Sequence, residues 1–186
     1  MRGQRRSGEV VEFHAILDGA RRGEAWAFRE IHGALAPAVA GFMRVHGAPE
    51  PDDLTSEVFV GVLRGVAAFE GDESSFRAWV FTIAHRRLAD DRRRRGRRPV
   101  TIGLWDMDWP DPNDEVDRAL ATARVRTLCE RLRPAQRDVL LLRLIGRLTI
   151  DEIASVIGRS PTAVKALQRR GRAELARMID PDEVAR

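Results

Sequence analysis

The feature that most constrains this chain is a stretch without one basic residue in a sequence otherwise rich in arginine. From Pro99 to Asp117 there is no Lys or Arg, and the segment carries Asp106, Asp108, Asp111, Asp114, Glu115 and Asp117 together with Pro99, Pro110 and Pro112. Proline lacks the amide proton a helix needs, and neighbouring carboxylates repel, so this segment is expected to be extended and mobile. It divides a chain of 186 residues into two halves, each of a size that suits a small domain. Trp105 and Trp109 lie inside it. An indole is costly to leave in water, so docking on a domain or partner is one reading; a plain linker with incidental tryptophans is the other.

The flanking halves read as helices. No strand-like alternation is present, and turn signals separate segments of helical length. The expected fold class is all-α, with two small helical domains joined by a flexible acidic linker. The expected boundaries are a disordered basic arm over 1–9, a first domain over 10–98, the linker over 99–116, a second domain over 117–180 and a tail over 181–186. In the first domain the apolar spacing predicts helices over 12–22, 24–45, 52–69 and 74–95, with Pro37 kinking or breaking the second.

In the second half, Pro134 opens an apolar helix that contains Val139, Leu140, Leu141, Leu142, Leu144 and Ile145, and Gly146 stops it. Thr149-Ile150-Asp151-Glu152 fits a capping box, with the threonine side chain on a backbone amide and Glu152 reaching back. Gly158 suits a left-handed helix end, Ser160 a cap and Pro161 a first helical turn. In the last helix Val164, Leu167, Gly171 and Leu175 form the inward face. Thr162, Lys165, Ala166 and Arg169 lie on another face, flanked by Gln168, Arg170 and Arg172. Such a helix can enter the major groove, where arginine reads guanine and glutamine reads adenine. A helical hairpin with a solvated arginine face is the plainer alternative.

Charge points the same way. Charged residues make up 32% of the chain, and the net charge is +4. Lys165 is the only lysine, so the cations are otherwise guanidinium forks that suit phosphate. Arg92, Arg93, Arg94, Arg95, Arg97 and Arg98 close a helix that already carries Arg77, His85, Arg86 and Arg87. Part of this run can serve the helix dipole, but its self-repulsion is best relieved by a polyanion. The 52–69 helix differs: Asp53, Glu57, Val60 and Arg64 lie largely off its apolar line, a mixed face that suits a protein partner.

Other classes are disfavoured. Cys129 is the only cysteine, which excludes an internal disulfide and a Cys-based zinc site and fits a reducing cytoplasm. The histidines are scattered, and no phosphate-cradling glycine loop or nucleophile elbow appears, so neither catalysis, metal nor cofactor is expected. No run approaches the roughly 18 apolar residues of a membrane span, and the basic N-terminus has no apolar run behind it to make a secretory signal.

Together these features resemble the extracytoplasmic-function sigma factors of bacterial RNA polymerase over nearly the whole chain. DDLTSEVFVGVLRG is similar to the polymerase-clamp helix of sigma region 2, and SFRAWVFTIAHRRLADDRRRR to its promoter-melting, −10-reading segment. LRPAQRDVLLLRLIGRLTIDEIASVIGRSPTAVKALQRRGRAEL resembles region 4, which reads the −35 element. The resemblance implies polymerase contacts from Asp53, Leu54, Glu57 and Phe59, and −10 contacts from Arg77, His85, Arg86, Arg92 and Arg93. It implies −35 contacts from Ser160, Thr162, Lys165, Gln168, Arg169, Arg170 and Arg172. It further implies a non-catalytic subunit whose partners are RNA polymerase core enzyme, promoter DNA (duplex at −35, melted strand at −10) and an anti-sigma factor. One departure is His85-Arg86 after Ile83-Ala84, where many members carry Asn after Ile-Ala-Arg; it leaves the −10 sequence preference open. The competing reading is a stand-alone helix-turn-helix regulator with a helical sensor or dimerisation domain.

Overall fold

A computed structural model describes the backbone of residues 2–95 and 125–178 and the side chains of 12–95 and 125–178. All regular elements among the described residues are helical. In chain order they are α1 (Arg2–Arg21), α2 (Ala25–Val45), α3 (Pro51–Gly65), a 3-10 turn (Val66–Ala68), α4 (Glu73–Arg95), a helical segment at 125–130, α5 (Pro134–Leu144), α6 (Ile150–Ile157) and α7 (Pro161–Met178). The proposed linker with Trp105 and Trp109, Arg97, Arg98 and the tail lie outside the described residues.

Three expectations are corrected. The N-terminal arm, expected to be disordered, is drawn into α1 from Arg2 onward. Phe13 and Leu17 are buried and anchor the helix downstream. Extending an anchored helix through good helix formers such as Arg and Gln costs little compared with nucleating one. Pro37 does not break α2, which runs unbroken from Ala25 to Val45. An interior proline costs roughly 3 kcal/mol, but each fully buried large apolar side chain returns about 1.5–3 kcal/mol. Val39, Phe42 and Met43 are all wholly buried, so packing wins. Finally, α3 ends at Gly65 instead of reaching Phe69. The chain tightens into the 3-10 turn and goes extended at Phe69, whose ring then packs on Phe76 and Trp79 at centroid distances of 5.1 and 5.2 Å.

The first block is built on α2, α3 and α4, with α1 laid along α2. Phe42 and Phe81 meet edge to face at its centre, 5.7 Å apart. Two glycines let α3 approach α4: a Cβ on Gly65 would stand 2.7 Å from Cζ2 of Trp79, and one on Gly61 would stand 3.1 Å from Cγ2 of Ile83. The second block packs α5 against both α6 and α7, around Val139, Leu142, Leu148, Ile153 and Val164. Gly171 permits the close crossing of α7 over α5, since a Cβ there would stand 2.9 Å from Cδ1 of Leu140. The two blocks touch: α6 packs on α4, and their buried residues join one apolar cluster.

Candidate nucleic-acid interface

The helix-turn-helix is set by local chemistry. Oγ1 of Thr149 accepts from the Glu152 amide at 3.3 Å, and Oε2 of Glu152 accepts from the Thr149 amide at 2.6 Å. Both halves of the predicted capping box are therefore made. Gly158 takes the left-handed conformation (φ 65°) that ends α6, and Ser160 Oγ accepts from the Ala163 amide at 3.2 Å to start α7. Val164 is wholly buried and Gly171 faces α5, so α7 turns its opposite side outward.

That outward side carries the predicted cations. Ser160, Thr162, Lys165, Arg169, Arg170 and Arg172 are exposed and Gln168 is half-buried. Lys165, Arg169 and Arg172 follow the i, i+4, i+7 spacing that aligns side chains on one helix face. They make no ion pair among the described residues, whereas Arg177, one turn further on, is neutralised by Glu174. Arg170 folds back on its own helix, its Nε donating to the Ala166 carbonyl at 3.2 Å. The arrangement is a row of guanidinium and ammonium groups on a rigid, capped helix, suited to phosphates and base edges.

The α4 surface is less open than its sequence implies. Arg86 and Arg93 are exposed, and Arg77, His85 and Arg92 are half-buried. Arg93 is paired with Asp90 and Arg95 with Asp91, so the arginine run answers part of its own repulsion. Arg92 is turned inward: its guanidinium donates to Nδ1 of His46 at 2.8 Å and to the His46 carbonyl at 3.3 Å. Since arginine only donates, Nδ1 is the accepting nitrogen and the imidazole proton sits on Nε2. His85 is also engaged, with Nε2 3.4 Å from Oδ2 of Asp138 on α5. In this arrangement tertiary packing gives His85 and Arg92 each a protein partner.

His46 and Asp138 were not singled out by sequence. His46, the C-cap of α2, has a fully buried side chain, and its Nε2 lies 3.6 Å from Oδ1 of Asp138. Burial, with the charges of Arg92, Arg137 and His85 and against the pull of Asp138, drives its pKa down to about 3, so the ring is neutral. Burial pushes the Asp138 carboxyl upward, but the hydrogen bond from His85 and the facing cationic groups outweigh it and hold the pKa below the usual carboxylate range. The one sequence signal was a lone carboxylate inside an apolar helix.

On α3, Asp53 is exposed and Glu57 is half-buried, 3.6 Å from Arg87 on α4. Leu54 and Phe59 are buried, and the Phe59 ring packs on His32 at 4.6 Å. They are corrected from direct contacts to core residues, because the apolar line of α3 turns toward α2 and α4. Val60 and Leu63, at 43% and 52% exposure, carry the apolar part of the free face. Val60 was placed there by sequence; Leu63 was missed.

Comparison with known proteins agrees with this layout. The Sigma-70 region 2 family model matches residues 31–98, and the Sigma-70, region 4 model matches residues 122–175. The chain is 34% identical to the ECF RNA polymerase sigma factor BldN of Streptomyces coelicolor, over 90% of this chain and 66% of BldN. It is 32% identical to the ECF RNA polymerase sigma factor RpoE of Cereibacter sphaeroides, over 87% of this chain and 89% of that protein. Identity to the RNA polymerase sigma factor CnrH of Cupriavidus metallidurans is 31%, over 88% of this chain and 92% of CnrH. The structure of CnrH in complex with the cytosolic domain of CnrY superposes with a TM-score of 0.69 at 26% identity, covering 90% of this chain and 97% of that one.

Proposed function

The chain belongs to the extracytoplasmic-function sigma factors, and on that premise we propose how its surfaces share the work. It directs RNA polymerase core enzyme to specific promoters and aids their opening; a stand-alone regulator is not favoured, because region 2 and region 4 both match. In our assignment, Thr162, Lys165, Gln168, Arg169, Arg170 and Arg172 read the −35 duplex. Ser160 starts that helix and lies beside the backbone. Arg77, Arg86 and Arg93 track the −10 strand, joined by His85 and Arg92 once the second block has moved away. Asp53 and Glu57, with Val60 and Leu63 beside them, face the polymerase. The domain limits are taken as 10–98 and 117–180, with 99–116 as linker.

The carrying observation is the unpaired cation row on a capped α7, whose opposite face is fixed in the core. The chain works as a non-catalytic specificity subunit in the cytoplasm, and phosphodiester chemistry belongs to the polymerase. No described helix is long and apolar enough to cross a membrane. An anti-sigma partner is part of this reading, supported by the complex of CnrH with the cytosolic domain of CnrY.

The test is promoter footprinting of holoenzyme carrying Arg169→Ala and Arg170→Ala. Protection around −35 should disappear while core association persists; unchanged protection would remove α7 from the promoter. Affinity of the intact chain for duplex DNA should also fall with salt at a slope of about −0.9 per phosphate contacted.

A further inference from the structure

Among the described residues, Arg147 is the only one other than glycine with a left-handed backbone, at φ 56° in the turn from α5 to α6. A side chain with a Cβ is disfavoured in that conformation, and glycine is the usual choice. The turn has a glycine, but another need consumes it: a Cβ on Gly146 would stand 2.6 Å from the Leu142 carbonyl oxygen. The left-handed position therefore falls to the arginine. Leu148 locks it there. That residue is wholly buried, its amide donates to the Leu142 carbonyl at 3.2 Å, and its own carbonyl accepts from the Arg143 guanidinium at 2.7 Å. Arg143 is thus occupied in fixing the turn. The Arg147 side chain is exposed and makes no ion pair or hydrogen bond among the described residues. It is the only cation from residue 144 to residue 158, and the adjoining first turn of α6 carries Asp151 and Glu152.

We propose that Arg147 is a phosphate anchor of the −35 contact, one that seats α7 in the groove without reading sequence. The proposal rests on the assignment of α7 to the −35 duplex. When the second helix of such a pair lies in the major groove, the first crosses the sugar-phosphate backbone. Here α6 is that first helix, so the turn that opens it comes to the phosphates. Asp151 and Glu152 repel a phosphate strand, and the Thr149 amide is already taken by Glu152. The attraction at this crossing has to come from a side chain, and Arg147 supplies it. A strained residue persists where its surroundings over-determine it, and such residues gather at ligand clamps. Gly146, Leu148 and Arg143 are those surroundings, and they hold one free guanidinium on a fixed piece of backbone. Phosphate contacts of this kind set register and orientation, while base edges carry the sequence.

The test uses holoenzyme reconstituted with the full-length chain, and a promoter duplex in which uncharged methylphosphonates replace the phosphates around −35 one at a time. Affinity is measured by competition at low temperature, before the strands open. Arg147→Gly should bind the unmodified duplex about fivefold more weakly, by the same factor on an altered −35 sequence. It should also lose sensitivity at one phosphate that wild type needs, and Arg147→Lys should retain that sensitivity. Calorimetry of the free chain should show Arg147→Gly melting about 2–4 °C higher, because the strain is relieved. Weaker DNA binding by a more stable protein is a pairing that a purely structural role does not produce. A lower melting temperature for Arg147→Gly would overturn the argument from strain, and a methylphosphonate pattern identical to wild type would overturn the phosphate contact. The variant with Arg169→Ala and Arg170→Ala separates this proposal from the reading beneath it. If that variant protects −35 like wild type, α7 is misassigned and the anchor falls with it. If it loses protection while Arg147→Gly binds as wild type does, only the anchor falls.

Discussion

Acidification should destabilise this protein through His46, by an amount the structure sets. The ring is buried beside Arg92, Arg137, His85 and Asp138, and its pKa falls from 6.5 to about 3. Below about pH 6.5 the unfolded chain takes up a proton at this site while the folded chain does not, so stability drops as pH drops. The stability is fully present above the unfolded pKa, and each further unit of acid removes about 1.4 kcal/mol until the folded pKa is reached. Between about pH 7.5 and about pH 5 the loss comes to about 2 kcal/mol. Asp138 changes stability in the same direction, since its carboxyl is held below the ordinary value of 3.8, but only in stronger acid, so this window isolates the histidine. The assay is urea unfolding by far-UV circular dichroism at both pH values, for wild type and for His46→Gln. Glutamine keeps an acceptor for Arg92 but does not titrate. Wild type should lose about 2 kcal/mol more than the variant across the window. Equal losses would show that the ring is solvated or already charged in the folded chain, and the reasoning from burial would be wrong.

Other perturbations separate packing, capping and interface. Gly65→Ala puts a methyl group 2.7 Å from the Trp79 indole, so α3 and α4 must move apart, and calorimetry should show a loss of roughly 1–3 kcal/mol. Thr149→Ala removes the cap of α6 and should cost about 1 kcal/mol in denaturant unfolding, with Thr149→Ser restoring most of it; no change would mean water replaces the hydroxyl without penalty. Asp53→Ala with Glu57→Ala should weaken association with core enzyme in a pull-down, while duplex binding by the isolated chain is unaffected. Normal association would take α3 out of the polymerase interface.

The helix-turn-helix and much of the helical layout were legible in advance because their signals are local. A threonine, a glutamate three residues on, a glycine at the helix end and a serine before a proline each act within one turn, so Thr149, Glu152, Gly158 and Ser160 do what their spacing says. The cation row on α7 was equally readable, because helical periodicity alone separates it from Val164 and Gly171. Tertiary structure decided what periodicity leaves degenerate. Leu54 and Phe59 became core because α3 meets α2 and α4 on that side, and Pro37 stayed inside a helix because the burial around it outweighs a lost hydrogen bond. The environment of His46, and the contact of His85 with Asp138 across 53 residues of chain, depend on how two separately patterned blocks dock. Such a contact leaves no trace in either local pattern, since a lone histidine or aspartate on a helix has the same propensity whether it meets water, DNA or another domain.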